Sequence, residues 1–284
     1  MSLVLDPEKT YMMPVFFGSC ISPRQGKDGK RCFYDDPTHL TKYDLVYESD
    51  AKKIEKVLPK GFKLNAPYVI ITYKQYRNVS WLAGLGYNLL SAQVPVTYHG
   101  KTQSITGQLM LVLWEGHPDA MITGREQLGY SKIYADISDV ATYKGLSRVT
   151  LNSWGFRFLE IEFDTKEEPE NADELKQILS NPKDEGLLHY KYIPKTGEFT
   201  KSEIEYVTFG PKFKEISENA KNFPPAKVEY MRGKVIWNRP KWEDMPTQFM
   251  IVQKFDDWGI KRFVGVQKSV SYNFDDLYNQ QIIE

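Results

Sequence analysis

The stretch that decides the fold is Gln108-Leu109-Met110-Leu111-Val112-Leu113-Trp114, an almost unbroken apolar run. A run of this length, followed by the loop residues Glu115-Gly116-His117-Pro118-Asp119, is typical of a strand at the centre of a sheet. The turn His99-Gly100-Lys101 and the β-rich segment at 94–98 precede it. The sequence therefore predicts a strand, a turn and a second strand between residues 87 and 123.

Further β-rich runs lie on both sides of this central pair. Aromatic residues, which favour strands, make up 14% of the chain. Short helices are predicted after a cap at Ser49 or Asp50 and after Asn171, where Glu174 completes the pattern of a capping box. We therefore expect one mainly β (β-rich α+β) domain over residues 1–284, an antiparallel barrel or sandwich with a few short helices. The predicted strands are 43–47, 68–73, 147–163, 188–193, 202–209, 227–237, 249–255 and 262–274.

Composition excludes several classes of partner. The 37 basic and 37 acidic residues give a net charge of zero, which argues against a nucleic-acid partner. No apolar run is long enough for a membrane span, and residues 1–9 do not resemble a secretory signal. Cys20 and Cys32 do not form a disulfide framework, so we expect a cytoplasmic protein with reduced thiols.

Searches for common catalytic motifs mostly fail. The chain has no phosphate-binding Gly-x-x-x-x-Gly-Lys-Ser/Thr and no Gly-x-Ser-x-Gly. Its histidines lack the spacing of metal ligands, so each is predicted to lie in a loop or on the surface. They are His39, His99, His117 and His189.

One segment after the central strand differs from the rest of the chain. It reads Met121-Ile122-Thr123-Gly124-Arg125-Glu126-Gln127-Leu128-Gly129-Tyr130-Ser131-Lys132-Ile133. It resembles the acetoacetate decarboxylase family, which carries Gly-Arg-Glu, an aromatic-containing spacer and then the lysine that forms a Schiff base. The likeness extends over residues 11–278, through Met13-Pro14, Phe17-Gly18, Pro23-Arg24, Tyr43-Asp44-Leu45-Val46-Tyr47 and Val94-Pro95-Val96.

The resemblance implies a cone-like β-barrel and a reactive amine at Lys132. A lysine attacks a carbonyl only as the neutral amine, and its ordinary pKa is about 10.4. Burial lowers such a pKa, as does a neighbouring cation, the route described for acetoacetate decarboxylase itself. The flanking Leu128, Tyr130, Ile133 and Tyr134 favour an apolar setting.

The same resemblance implies roles for other residues. Arg125 would hold the substrate carboxylate or lower the pKa of the lysine, and Glu126 would orient Arg125 or shuttle protons. Five more residues are expected to line the substrate pocket: Tyr130, Tyr87, Leu89, Trp114 and Ile133.

The chain departs from the family pattern around this lysine. Acetoacetate decarboxylases have a second lysine where Ile133 stands, and an acid where Leu89 stands. An expected arginine is replaced by Leu40, with Arg24 and Arg77 as candidate substitutes. Ser131 stands where proline is common. These differences favour a larger and less polar substrate.

The sequence thus predicts a cofactor-independent lyase that acts on a small keto acid through Lys132. Decarboxylation of a β-keto acid is the leading interpretation, and an aldolase or dehydratase reaction is the first alternative. A non-catalytic protein that binds a small ligand on the same scaffold is the second. The resemblance also implies a homo-oligomer, which would help to protect the sheet edges.

Overall fold

The computed structural model describes residues 5, 7, 11–13, 24–25, 31–32, 38–212, 224–273 and 279–284. Motif residues 14–18 and Pro23, the turn at 26–30, Cys20 and Phe274 lie outside the described residues. The strands are β1 Arg24–Gln25, β2 Arg31–Cys32, β3 Thr38–Glu48, β4 Phe62–Leu64, β5 Tyr68–Arg77, β6 Tyr87–His99, β7 Ser104–Glu115, β8 Lys132–Tyr134, β9 Asp136–Ile137, β10 Ala141–Tyr143, β11 Leu146–Ser153, β12 Phe156–Asp164, β13 Gly186–Lys195, β14 Glu198–Pro211, β15 Lys227–Trp237, β16 Arg262–Asn273 and β17 Gln281–Ile283.

Fifteen of these strands form one mixed sheet, and β1 and β2 form a separate pair. Neighbouring strands follow the order β10-β11-β12-β15-β16-β3-β5-β6-β7-β13-β14-β17, while β4 joins β6, β8 joins β7 and β9 joins β11. The mainly β class is confirmed. Within the described residues, however, the sheet is open rather than closed into the expected barrel.

The apolar run that follows Gly107 is the centre of this sheet, as predicted. It lies in β7, which pairs with β6 along most of its length. Two neighbours of β7 are parallel to it: β8 at Leu113 to Glu115 and β13 at Gln108 and Leu109. The sheet is therefore mixed, because the chain returns to β7 after a helical connection and again after residue 180.

Side-chain alternation along β7 divides the sheet into two apolar faces. Val112 and Trp114 belong to the main core, whose largest fully buried side chains include Tyr47, Tyr73 and Phe158. Leu113 points to the opposite face and joins a smaller group, here called the Leu89 cluster. Its buried members are Leu40, Tyr76, Val79, Leu89, Met110 and Leu113.

The helices are short and connect strands. They are α1 Ala51–Glu55, α2 Pro118–Thr123, α3 Ala172–Leu179 and α4 Phe249–Trp258, with a 3-10 turn at Ser80–Leu82 and a π-helical turn at Gly124–Leu128. Of the two caps that the sequence allows for α1, the structure has Asp50, whose carboxylate accepts a hydrogen bond from the Lys53 amide.

Two predictions about helices need correction. The segment at 249–255 was expected to be a strand but lies in α4, where Val252, Phe255 and Trp258 form a buried stripe at helical spacing. Helix α3 forms where expected, but Asn171 makes no side-chain cap. Glu174 instead accepts hydrogen bonds from Arg262 and Tyr68, which outcompete the capping box for its carboxylate.

Candidate active site

Lys132 reaches its position through an unusual turn. Helix α2 begins with Pro118 at its first turn and continues directly into the π-helical turn, a feature frequent at functional sites. The turn ends at Gly129, which has φ 79°, a left-handed conformation that favours glycine. A Cβ at Gly129 would also lie 2.8 Å from Cβ of Lys191. The chain then reverses, and the Tyr130 amide donates to the Gly124 carbonyl at 3.0 Å.

The parallel pairing of β8 with β7 fixes which face Lys132 occupies. Lys132 lies beside Leu113, so both side chains point toward the Leu89 cluster. Glu115, two residues after Leu113, points to the same face because side chains alternate along a strand. The register of one strand pair therefore brings an amine and a carboxylate together.

The Lys132 side chain is buried and has two polar contacts. Its Nζ lies 2.8 Å from Oε2 of Glu115 and donates a hydrogen bond of 3.0 Å to the Ala120 carbonyl. Only 7% of the residue is exposed. Gly124 makes room for it, since a Cβ there would lie 2.6 Å from Cε of Lys132.

Glu115 is fully buried, and Lys132 is the cation beside it. Although Nζ is close to Oε2, neither carboxylate oxygen has a partner that meets hydrogen-bond geometry within the described residues. An ammonium can donate three hydrogen bonds and a carboxylate can accept about four. The buried pair thus keeps donors and acceptors that make no hydrogen bond. Burying such groups away from water costs free energy unless a ligand pairs with them.

An aromatic pair forms another side of the site. The Tyr130 ring stacks on His189 with centroids 3.9 Å apart and planes inclined by 16°, and Nζ of Lys132 lies 5.6 Å from the Tyr130 centroid. His189 is fully buried in β13. Burial and the nearby charge of Lys132 lower the pKa of His189 to about 3, so its imidazole is neutral at physiological pH.

The remaining wall beside Lys132 is apolar. Leu89 of β6 lies directly opposite Glu115 in the antiparallel ladder, and Leu40 of β3 belongs to the same cluster. Tyr130 packs against this cluster as a partly buried member. The two positions where the family pattern has an acid and an arginine therefore form one hydrocarbon surface.

Arg125 and Glu126 lie differently from what the motif suggests. Both residues are exposed. The Arg125 guanidinium donates to the Lys132 main-chain carbonyl at 2.7 Å, and the Glu126 carbonyl accepts a hydrogen bond from the buried Lys191 amine. Through these contacts the two residues support the turn, whereas Glu115 supplies the carboxylate next to the amine.

Trp114 and Ile133 point away from Lys132. They are neighbours in the β7–β8 register, and both pack in or against the main core on the other face. The Trp114 indole nitrogen donates to Gln248 at 2.9 Å. Tyr87, expected in the pocket, lies within 5.9 Å of His117 and 6.4 Å of Trp81 between ring centroids, at the edge of the Leu89 cluster.

Arg77 does not replace the missing cation beside Lys132. Its guanidinium donates to Asn88 and the Tyr76 carbonyl and forms an ion pair with Asp139. The backbone of Arg24, the other candidate, lies in the separate β1–β2 pair. In the described part of the chain, no group of three or more His, Cys, Asp or Glu side chains could hold a metal ion.

Sequence reasoning missed two residues of this site. Glu115 was assigned to a loop, although it closes the central strand two positions after Leu113, and that spacing is the signal that could have found it. His189 was expected in a loop or on the surface; it lies in the strand predicted at 188–193, and its side chain there is fully buried. Its place beside Tyr130 depends on a contact between residues 59 positions apart, which the local sequence does not encode.

The comparisons with known proteins identify the family. The family model for acetoacetate decarboxylase matches residues 23–253. The chain belongs to the acetoacetate decarboxylase family. No curated protein sequence matches it significantly.

Solved structures of acetoacetate decarboxylase-like proteins share its fold at low identity. The acetoacetate decarboxylase of Legionella pneumophila is 15% identical with a TM-score of 0.60, covering 84% of each chain. An acetoacetate decarboxylase-like enzyme from Sphingomonas wittichii is 13% identical with a TM-score of 0.58, covering 84% of this chain and 91% of that one. The enduracididine biosynthesis enzyme MppR, solved with the condensation product of pyruvate and imidazole 4-carboxaldehyde, is 11% identical with a TM-score of 0.55, covering 87% of each chain.

The described residues include no helix that is both long and apolar enough to cross a membrane.

Proposed function

We propose that this member of the acetoacetate decarboxylase family is a cofactor-independent lyase that forms a Schiff base between Lys132 and a keto acid, with β-keto-acid decarboxylation as its reaction. The observation that carries the proposal is the buried Lys132–Glu115 pair with its unused hydrogen-bonding capacity. A structural ion pair in a protein interior is normally satisfied on all sides, because desolvation otherwise exceeds the Coulombic gain.

The pair can carry imine formation with all protons accounted for. Glu115 takes one proton from Lys132, and the resulting amine attacks the keto carbon. A second proton moves from the nitrogen to the former keto oxygen, which gives a carbinolamine. Glu115 then returns its proton as the hydroxyl leaves as water. Of the three protons on the starting ammonium, one remains on the imine nitrogen and two leave with the water, so Glu115 is again a carboxylate.

The protonated imine accepts the electrons of the next step. When the bond to a β-carboxylate breaks, its electron pair forms the carbon–carbon double bond of an enamine and carbon dioxide leaves. Protonation of the enamine carbon and attack of water on the imine release the ketone and regenerate Lys132. Glu115 is the carboxyl group next to the amine that can hold and return a proton in these steps.

The substrate we infer is less polar than acetoacetate. Leu40 and Leu89 place hydrocarbon where the family pattern has charged groups, and the Leu89 cluster extends that surface through Met110 and Leu113. Burying an aliphatic or aromatic substituent there stabilises the complex by about 25 cal/mol per Å² of apolar surface removed from water.

Borohydride trapping tests the shared step. We expect Lys132 to gain the mass of the reduced adduct when the protein is incubated with a panel of 2-keto and 3-keto acids and borohydride, and Lys132→Met to gain none. Peptide mapping provides an internal control, because Lys191 is also buried but, unlike Lys132, has no carboxylate partner among the described residues and should stay unmodified. If no keto acid labels Lys132, the lyase proposal is wrong, and ligand binding without turnover becomes the better reading.

An aldolase or dehydratase reaction is the second candidate. MppR, similar in fold, has been solved with a condensation product of pyruvate, and the same imine intermediate supports aldol chemistry. Release of carbon dioxide identifies the first reaction, and loss of water without carbon dioxide identifies the second. A homo-oligomer and a single domain over 1–284 stay predictions.

A further inference from the structure

His189 is a buried polar group that the proposed reaction has not yet used. It is fully buried, and neither ring nitrogen has a hydrogen-bond partner within the described residues. Its neighbour across the ladder, Thr208, uses its hydroxyl to donate to the Leu128 carbonyl and to accept from Gln280. Leaving a buried donor unpaired costs about 1–3 kcal/mol, so native proteins rarely do so without a reason.

The position of His189 gives that reason. Alternation along β13 places it on the same face as Leu187, which packs against the Leu89 cluster, and Lys191, which contacts the turn before Lys132. Its ring stacks on Tyr130, whose ring in turn lies beside Nζ of Lys132. The His189 ring therefore lies on the same face of the sheet as the amine, and the Tyr130 ring lies beside both.

The chemistry of a neutral imidazole fits a particular task at this place. A neutral imidazole carries one N–H, and it can polarise a carbonyl as a hydrogen-bond donor without releasing its proton. An imidazolium would instead repel the Lys132 ammonium and the protonated imine that replaces it. Burial and the charge of Lys132 keep His189 neutral.

We propose that His189 is a catalytic residue that donates a hydrogen bond to the keto oxygen of the substrate while Lys132 attacks the carbon. During the attack the nitrogen of Lys132 bonds to carbon and the carbonyl electron pair moves to oxygen, where His189 stabilises the developing charge. His189 keeps its proton throughout, because both protons of the departing water come from Lys132, one of them by way of Glu115. The role rests on the Schiff-base function proposed above.

Three variants test this role through the rate of borohydride-trapped adduct at Lys132, with acetoacetate and pyruvate as probes. His189→Phe keeps a flat ring against Tyr130 but has no donor, and we expect it to trap about 10²–10³-fold more slowly, the effect of removing one donor to a developing oxyanion. His189→Asn and His189→Gln each supply an amide N–H, and at least one should recover about tenfold or more of that loss. A merely structural role predicts no such rescue, since an amide packs against Tyr130 less well than phenylalanine does.

A measurement on the wild-type protein keeps the proposal testable if the variants fail to fold. We expect the imidazole ¹⁵N and N–H resonances of His189 to shift when pyruvate or acetoacetate is added, and the N–H proton to move downfield. Unchanged resonances in a protein whose Lys132 is trapped overturn the inference, as does His189→Phe trapping at the wild-type rate. If neither probe forms an adduct, the same variants are compared with the keto acid of the panel that does. A wild-type protein that forms no adduct with any of them overturns the proposed function itself and this inference with it.

Discussion

The sharpest test of the site is a double-mutant cycle on the Lys132–Glu115 pair. Lys132→Met keeps the aliphatic stem but leaves the Glu115 carboxylate fully buried and without a hydrogen-bond partner in the described residues. Removing one partner of such a pair lowers the free energy of unfolding by about 3–5 kcal/mol. Glu115→Leu leaves the buried ammonium without its carboxylate, and among the described residues the Ala120 carbonyl is the hydrogen-bond partner that remains. We therefore expect this variant to lose a similar amount of unfolding free energy.

The double variant should behave in the opposite way. Leucine at 115 faces Leu89 across the ladder and methionine at 132 faces Leu113, so both additions extend the Leu89 cluster. Replacing a buried ion pair by hydrocarbon of similar volume ranges from neutral to about 4 kcal/mol stabilising. The two single losses should therefore be non-additive by at least about 6 kcal/mol, while adduct formation is abolished.

Urea unfolding at pH 7, followed by circular dichroism and by the fluorescence of the buried Trp114, measures the cycle. Lys234→Met is the matched control, since Lys234 also lies 2.8 Å from its partner Glu162 but its side chain is 59% exposed. An exposed pair contributes about 0–1 kcal/mol. The reasoning is refuted if Lys132→Met costs no more than Lys234→Met, or if the double variant is as unstable as the two losses combined.

Two further predictions concern the neighbours of this pair. Gly124→Ala places a Cβ 2.6 Å from Cε of Lys132, so the amine must move by about an ångström. Because the reacting atoms are then misplaced, the rate of adduct formation should fall by about 10²-fold. Gly116→Ala is the control: its Cβ would meet nothing closer than 3.5 Å, so this variant should form the adduct at the wild-type rate. Because the pKa of His189 is lowered to about 3 in the folded protein, the unfolded chain binds more protons below pH 6.5, and stability attributable to His189 falls as pH drops from there toward 3. Between pH 7 and 5 the free energy of unfolding should fall by about 2 kcal/mol on account of His189. Urea unfolding should show this fall in the wild-type protein and not in His189→Phe. Equal pH dependence of the two proteins would contradict a buried, neutral His189.

Much of the fold could be predicted because it depends on local patterns. The alternating runs that became β3 and β5, the apolar run in β7 and the Asp50 cap of α1 are encoded by adjacent residues. The run at 249–255 failed because a short apolar segment fits a buried strand and a buried helix equally well. Only its extension to the buried Trp258 shows the helical period.

The site was harder to predict because it depends on register between distant strands. The sequence neighbours of Lys132 suggested an apolar setting, yet Ile133 points to the other face and Tyr134 is half exposed. The hydrocarbon beside the amine comes instead from Leu40, Leu89 and Leu113, on three other strands. Neither their proximity nor that of His189 can be read without knowing that β8 and β13 both run parallel to β7.

The departure from the family pattern at Leu89 is better described as a transfer of the acid than as its loss. Leu89 and Glu115 are directly opposed in the β6–β7 ladder, where paired Cβ atoms lie about 4.5–5.5 Å apart. A carboxylate moved from β6 to β7 at this rung therefore stays on the same face and, as the 2.8 Å contact shows, within reach of the amine. Among the residues that the structure describes, the absent arginine and second lysine have no such replacement beside Lys132, since Leu40 and the core-facing Ile133 occupy their positions and Arg77 pairs with Asp139. The described charges around the amine thus sum to zero, so a bound carboxylate adds an unbalanced negative charge to an apolar site. When carbon dioxide leaves, the electron pair of the carboxylate stays behind and neutralises the iminium, so two localised charges become a neutral enamine and a neutral molecule. Because an apolar site disfavours localised charges, we expect decarboxylation to proceed more readily here than reactions that keep the carboxylate in place.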